Sequence, residues 1–168
     1  KVITSMEQKV TRLSTAPQKK FSNNIPELMQ SIYIARGLYC DEDLNYSLSQ
    51  LEHFSNLKDI DKATDAIIHS IIEKRNIVII GDYDVDGATA TSLLIKGLSQ
   101  IGATNLNFLT PNRLTDGYGL TAKIVNLAAD TFNADMLITV DNGIASIEGV
   151  DYANKLGIQV IITDHHLA

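Results

Sequence analysis

A doubly wound α/β domain with a mainly parallel sheet, preceded by a helical lead-in, is expected from three features of the sequence. From residue 76 onward, short apolar runs alternate with stretches of helical periodicity, the order of a parallel sheet covered by helices on both faces. The runs are rich in Val and Ile with no polar alternation, which reads as strands buried on both sides. Three of them end in acids or histidines. Ile77-Val78-Ile79-Ile80 leads into Gly81-Asp82-Tyr83-Asp84-Val85-Asp86-Gly87, Leu137-Ile138-Thr139-Val140 into Asp141-Asn142-Gly143, and Val160-Ile161-Ile162-Thr163 into Asp164-His165-His166. In a parallel sheet these endings share the carboxyl edge, where open α/β folds bind ligands.

Taken in order, residues 1–24 are polar with little periodicity and read as a loose tail. A helix is expected after Pro26, with Leu28, Met29, Ile32 and Tyr33 on one face and Gly37 as its stop. Asp41 is placed to cap a second short helix carrying Leu44, Leu48 and Leu51. Asp59 or Asp61 starts a third, with Ala63, Ala66, Ile67, Ser70 and Ile71 at helical spacing. Residues 25–75 thus form a lead-in or cap against the sheet, and His53 and His69 in it have no partners at metal spacing. Strands follow at about residues 77–80, 106–109, 136–140 and 158–163, and helices at about 88–101, 122–130 and 147–156.

With 168 residues, 45% of them apolar, the chain can bury a real core. The single cysteine, Cys40, excludes an internal disulfide and fits a reducing compartment. No run is long enough to span a bilayer and residues 1–10 lack a signal-peptide core, so a cytoplasmic protein without membrane contact is expected. The net charge of −6 is uneven: residues 1–75 hold ten basic and ten acidic residues, residues 76–168 four and ten. The second part would repel a nucleic acid unless bound cations or further basic surface offset its acids.

Three carboxylates at alternating positions after a buried strand are costly unless a cation binds them. The spacing of Asp82, Asp84, Asp86 and Gly87 also matches the start of an EF-hand loop, but position 12 would be Leu93 and a strand precedes. The nucleophile loop of haloacid-dehalogenase phosphatases would leave His165 and His166 without a role. A solvated acidic turn would not explain why two more strands end in Asp and His. Asn142-Gly143 alone is an ordinary turn. Arg113, in the Gly-rich loop after the second strand, is one of four basic residues beyond residue 75, and a guanidinium can grip a phosphate with two donors.

Asp84-Val85-Asp86-Gly87, Val140-Asp141-Asn142-Gly143 and Asp164-His165-His166 resemble motifs I to III of the DHH phosphoesterase superfamily. Together with Pro111-Asn112-Arg113 and Asp116-Gly117-Tyr118-Gly119-Leu120, they are most similar to its single-stranded-DNA exonuclease branch, from about residue 32 onward. The resemblance makes residues 76–168 a DHH domain that stops after motif III. It implies hydrolysis of single-stranded DNA in the 5′-to-3′ direction, in recombination and repair, with two Mn²⁺ or Mg²⁺ ions. Asp84, Asp86, Asp141 and His165 would be metal ligands, with Asp141 the bridge and a catalytic residue. Asp82 would be a further ligand, because Ile80 stands where many members carry a His. His166 would contact phosphate oxygens or assist proton transfer, and Arg113 would face the substrate phosphate. Other DNA-repair proteins, such as a single-strand-binding protein and a helicase, are the implied partners. The absence of an initiating Met and the stop at Ala168 lead to the expectation of a fragment, inactive alone without the family's fourth-motif Asp. Within the superfamily the alternatives are a nano-RNase or cyclic-dinucleotide phosphodiesterase and an inorganic pyrophosphatase. Outside enzymes, the alternative is a non-catalytic replication partner that keeps the fold.

Overall fold

The computed structural model describes residues 21–22 and 24–167, so most of the expected tail at residues 1–24 lies outside the described residues. The chain divides into two compact units, Lys1–Asn56 and Leu57–Ala168. In the first, helix α1 (Glu27–Ala35) follows Pro26 and is stopped by Gly37 just past its cap Arg36, where a φ of 84° is the left-handed backbone a helix stop needs. Ser22 N–H donates to the Asp41 carboxylate, and the Phe21 ring lies 6.0 Å from that of Tyr33.

In place of the second short helix stand 3₁₀ turns at Asp41–Leu44 and Leu48–Gln50, with a further one beyond it at Phe54–Asn56. The cause is local. Asn45 Oδ1 accepts the Ser47 N–H at 3.1 Å, and the Ser47 and Ser49 hydroxyls pair at 2.7 Å. Such side-chain bonds offer the backbone an alternative to a helix, and Asn45 and Ser47 are accordingly extended.

In the second unit α2 (Ile60–Ile72) precedes four strands and three helices: β1 (Ile77–Gly81), α3 (Val85–Gln100), β2 (Leu106–Leu109), α4 (Ala122–Phe132), β3 (Met136–Val140), α5 (Ile147–Lys155) and β4 (Gln159–Thr163). All pairings are parallel, in the order β2-β1-β3-β4. β1 and β3 are the inner strands and every residue of both is buried, as their unbroken apolar sequence requires. Alternate residues feed two cores. Val78, Ile80 and Leu137 pack with Ile124, Val125 and Ala128 of α4 and Ala153 of α5. Ile77, Ile79, Met136 and Ile138 pack with Leu98 and Leu94 of α3 and Ala66, Ile67 and Ile71 of α2. Helices therefore cover both faces, and the strand order switches at β1, with β2 added on one side of it and β3 on the other. Each fully buried Ile or Leu contributes about 1.5–3 kcal/mol, so these two strands anchor the unit.

Helix α3 starts at Val85, three residues before the apolar periodicity suggests. The Asp84 carboxylate caps it, accepting from Asp86 N–H at 3.1 Å and Gly87 N–H at 3.2 Å. No helix among the described residues is long and apolar enough to cross a membrane.

Gly149 of α5 lies against the carbonyl of Leu120, the residue that seats the loop before α4. A Cβ there would overlap that backbone oxygen, which cannot swing aside. Gly149→Ala is expected to lower stability by about 1–3 kcal/mol, read as a Tm fall of several degrees in thermal unfolding. An unchanged Tm would refute the close approach.

Candidate metal centre

The site is a row across the sheet's carboxyl edge. Register pairs Gly81 with Val140 and Val140 with Thr163, so Asp82, Asp141 and Asp164 are each the first residue past the paired strands. Backbone bonds continue one step into the row: Asp82 N–H donates to Val140 O at 3.4 Å, and Asp141 N–H to Thr163 O at 3.0 Å. The row straddles β1 and β3, the switch point at which doubly wound sheets bind ligands. Asn142 clamps the two strand ends. Its buried Nδ2 donates to Ile80 O at 3.0 Å and to Val140 O at 2.9 Å.

Among the described residues two groups of three could hold a cation, each with ligand atoms within 4.8 Å of one another. They are Asp82, Asp84 and Asp141, and Asp141, His165 and His166. Asp141 belongs to both. Its carboxyl titrates above the usual range, first because burial penalises its charge and then because Asp84 repels it, while His165 pulls the other way. Asp141 Oδ1 is buried without a hydrogen-bond partner, although His165 Nε2 stands 2.9 Å away at ion-pair distance. An orphaned carboxylate oxygen beside two further carboxylates and an imidazole is a donor set that fits a divalent cation. Asp86 lies exposed on the first turn of α3 and outside both groups.

Asp164 belongs to neither group. Its side chain is 1% exposed and takes the Ile144 N–H at 2.9 Å on one oxygen and His166 Nδ1 at 2.7 Å on the other. Burial alone would raise its pKa, but the backbone bonds from Ile144 and His166 and the imidazole outweigh it, and the carboxyl is held below the usual range. In return, the Asp164 hydrogen bond raises the pKa of His166.

The loop after β2 completes the rim. Asp116 ties it together, accepting from Asn112 N–H at 2.9 Å and pairing with Lys123 Nζ at 2.7 Å. It carries Arg113, whose Nη2 donates to Asp82 Oδ2 at 3.4 Å. The Arg113 guanidinium lies 4.3 Å from the Tyr83 ring centre and 4.9 Å from that of Tyr118.

Of the residues singled out in the sequence, Asp82, Asp84, Asp141, His165, His166 and Arg113 converge on this edge. His53 and His69 stand elsewhere, bonded to Ser55 and paired with Glu73. Sequence reasoning missed three contributors: the Asn142 clamp, Asp164 as the support of His166, and the aromatic neighbours of Arg113. An Asn between Asp and Gly at the end of an apolar strand is the one signal that could have found the clamp.

The model of the DHH family, N-terminal domain, matches residues 76–168. The chain is 38% identical over 143 residues to the single-stranded-DNA-specific exonuclease RecJ of Escherichia coli K12, covering 85% of this chain and 25% of that protein. It is 39% identical over 160 residues to the RecJ of Dickeya dadantii, covering 94% of this chain and 28% of the relative. It therefore spans about a quarter of the length of these curated relatives. A solved structure of exonuclease RecJ bound to manganese superposes with a TM-score of 0.60 and 33% identity, covering 66% of this chain and 28% of that one.

Calorimetric titration of the chain with Mn²⁺ is expected to show binding that Asp141→Asn weakens by on the order of a hundredfold, since even supporting residues of metal sites cost 10–100-fold. Equal isotherms for parent and variant would remove Asp141 from the centre.

Proposed function

Because this chain belongs to the DHH family, we propose that it carries the metal centre of an exonuclease that hydrolyses single-stranded DNA from the 5′ end. The observation that carries this reading is the position of Asp141, shared by two adjoining donor groups at the switch point of the sheet. Carboxylates with imidazole suit Mn²⁺ better than Mg²⁺, which favours oxygen and water. The printed names of the RecJ relatives and the manganese in the RecJ structure support the same choice. When bound, two such ions would polarise the scissile phosphate and supply a hydroxide for in-line attack.

This chain's own residues have separable tasks. Asp82 and Asp84 serve one side of Asp141, and His165 the other. Asp86 stays outside as a nearby charge, one of the causes of the raised Asp141 pKa. His166, oriented by Asp164 and held toward its protonated form, faces a phosphate oxygen and can give up a proton there. Arg113 has donors free beyond the one that reaches Asp82 and orients the phosphate. The reading extends to a cytoplasmic setting and to DNA-repair partners such as single-strand-binding protein and a helicase.

The test is digestion of 5′-labelled single-stranded DNA with millimolar Mn²⁺. The protein is a chimaera of the Escherichia coli relative in which this chain replaces the matching segment. Release of nucleotides from the 5′ end of long strands, reduced by on the order of a hundredfold or more in Asp141→Ala, is the expected result. Digestion confined to dinucleotides would replace this reading with a short-substrate phosphodiesterase.

In the same chimaera Arg113→Ala is expected to cut activity on 5′-phosphorylated strands about tenfold or more, the worth of a charge-assisted contact. Its Tm should move little, because the contact with the buried Asp82 is long at 3.4 Å and the Arg113 side of it is half exposed. A large Tm drop with unchanged kinetics would make Arg113 a structural residue.

A further inference from the structure

We propose that Tyr118, aided by Tyr83, is a positioning residue that holds the Arg113 guanidinium ready for an incoming phosphate. The inference rests on the phosphate-facing reading of Arg113 given above. Three observations carry it. First, the two rings lie within cation–π reach of one guanidinium, at 4.3 and 4.9 Å, although they come from loops after different strands. Second, neither ring serves the core: Tyr83 is 52% and Tyr118 47% exposed, and neither hydroxyl hydrogen-bonds to another described residue. What these side chains offer is their faces. Third, the backbone around Tyr118 is bent to present it, with Gly117 at φ 84° and Gly119 at φ 74°. A Cβ on Gly119 would stand 2.6 Å from Ser146 Oγ, the atom that accepts the Leu120 N–H, so this turn is held against the start of α5.

The physical reason for such an arrangement is entropy. A long, half-exposed Arg samples many rotamers, and each must be surrendered when a phosphate is gripped. Aromatic faces restrict the guanidinium beforehand without consuming its N–H donors, which lie in its plane. Asp82 uses one of these donors, at 3.4 Å, and the others meet no described acceptor. Tyr118 also meets the His166 ring edge-on at 6.3 Å, so a single ring touches both groups that the proposed reading turns toward the phosphate.

The experiment uses the Mn²⁺-loaded chain and a 5′-phosphorylated oligothymidylate as probe. Tyr118→Leu should weaken probe binding about two- to fivefold, the range of one exposed cation–π contact. Tyr118→Phe, which keeps the ring, should match the parent, and Mn²⁺ affinity should be unchanged in both. In an Arg113→Ala background Tyr118→Leu should cost nothing further. By NMR, the Arg113 side-chain protons should be ring-current shifted in parent and Tyr118→Phe and move in Tyr118→Leu. If Arg113→Ala leaves probe binding untouched, the phosphate-facing reading fails and this proposal with it. If Arg113→Ala weakens binding while Tyr118→Leu does not and leaves the Arg113 resonances in place, only the positioning role is overturned. A further loss on adding Tyr118→Leu to Arg113→Ala would overturn it too, by showing that the ring acts on the probe by a route other than Arg113.

Discussion

The repulsion among Asp82, Asp84 and Asp141 is the constraint around which the second unit is arranged. Two unit charges at about 4 Å, at an effective dielectric of about 20, oppose each other by roughly 4 kcal/mol. Three such groups gather within 4.8 Å at the ends of two buried strands. The fold answers with several donors placed beside the acids. The first turn of α3 gives Asp84 two backbone N–H groups at the positive end of a helix. Arg113 approaches Asp82, and His165 approaches Asp141. None of these is complete, as the raised pKa of Asp141 and its orphaned oxygen show.

Holding the acids this close depends on missing side chains as much as on those present. A Cβ on Gly87 would run into the Asp82 backbone, and one on Gly81 into the Thr91 hydroxyl. Both glycines let α3 lie directly against the end of β1, which is how Asp84 comes to face Asp141 across the sheet. Asn142 does the corresponding work between β1 and β3 by bonding one carbonyl of each. Fold stability and site geometry therefore share the same few contacts, and a change that loosens the strand ends also separates the acids.

The parts of this arrangement that were legible in the sequence are those that depend on local pattern. β1 and β3 were readable because a strand buried on both faces must be apolar at every position. The acids were readable because charge after such a strand is costly without a partner. The start of α3 was misplaced at Ala88 because a cap acts through a side chain, not through apolar periodicity. The helix expected after Asp41 failed for the same reason, with Asn45 and Ser47 bonding their own backbone. What the sequence hid was made by distant segments meeting. Asp164 supports His166 only because Ile144 arrives from the loop after β3 to share the carboxylate. The Tyr83 ring becomes a neighbour of Arg113 only once β1 and β2 lie side by side. Asp86 shows the limit of alternation: it lies exposed on the first turn of α3 and outside both donor groups, yet close enough to act on the charge of Asp141.

The same charges bear on how a polyanion would reach the edge. Beyond residue 75 the chain holds four basic residues against ten acidic ones, and of the four Arg113 reaches the acidic row. Without a bound cation, a phosphate approaching Asp141 meets two further carboxylates and would be repelled over the Debye length, about 8 Å at physiological salt. On the proposed reading, cation binding therefore both builds the reactive centre and reverses the sign of the field that a strand encounters. The linkage is reciprocal: a phosphate that binds better to the loaded edge must tighten the hold of that edge on its cation by the same factor. On that reading, a row of acids that repels a phosphate when empty provides discrimination, because productive contact is confined to the metal-loaded form.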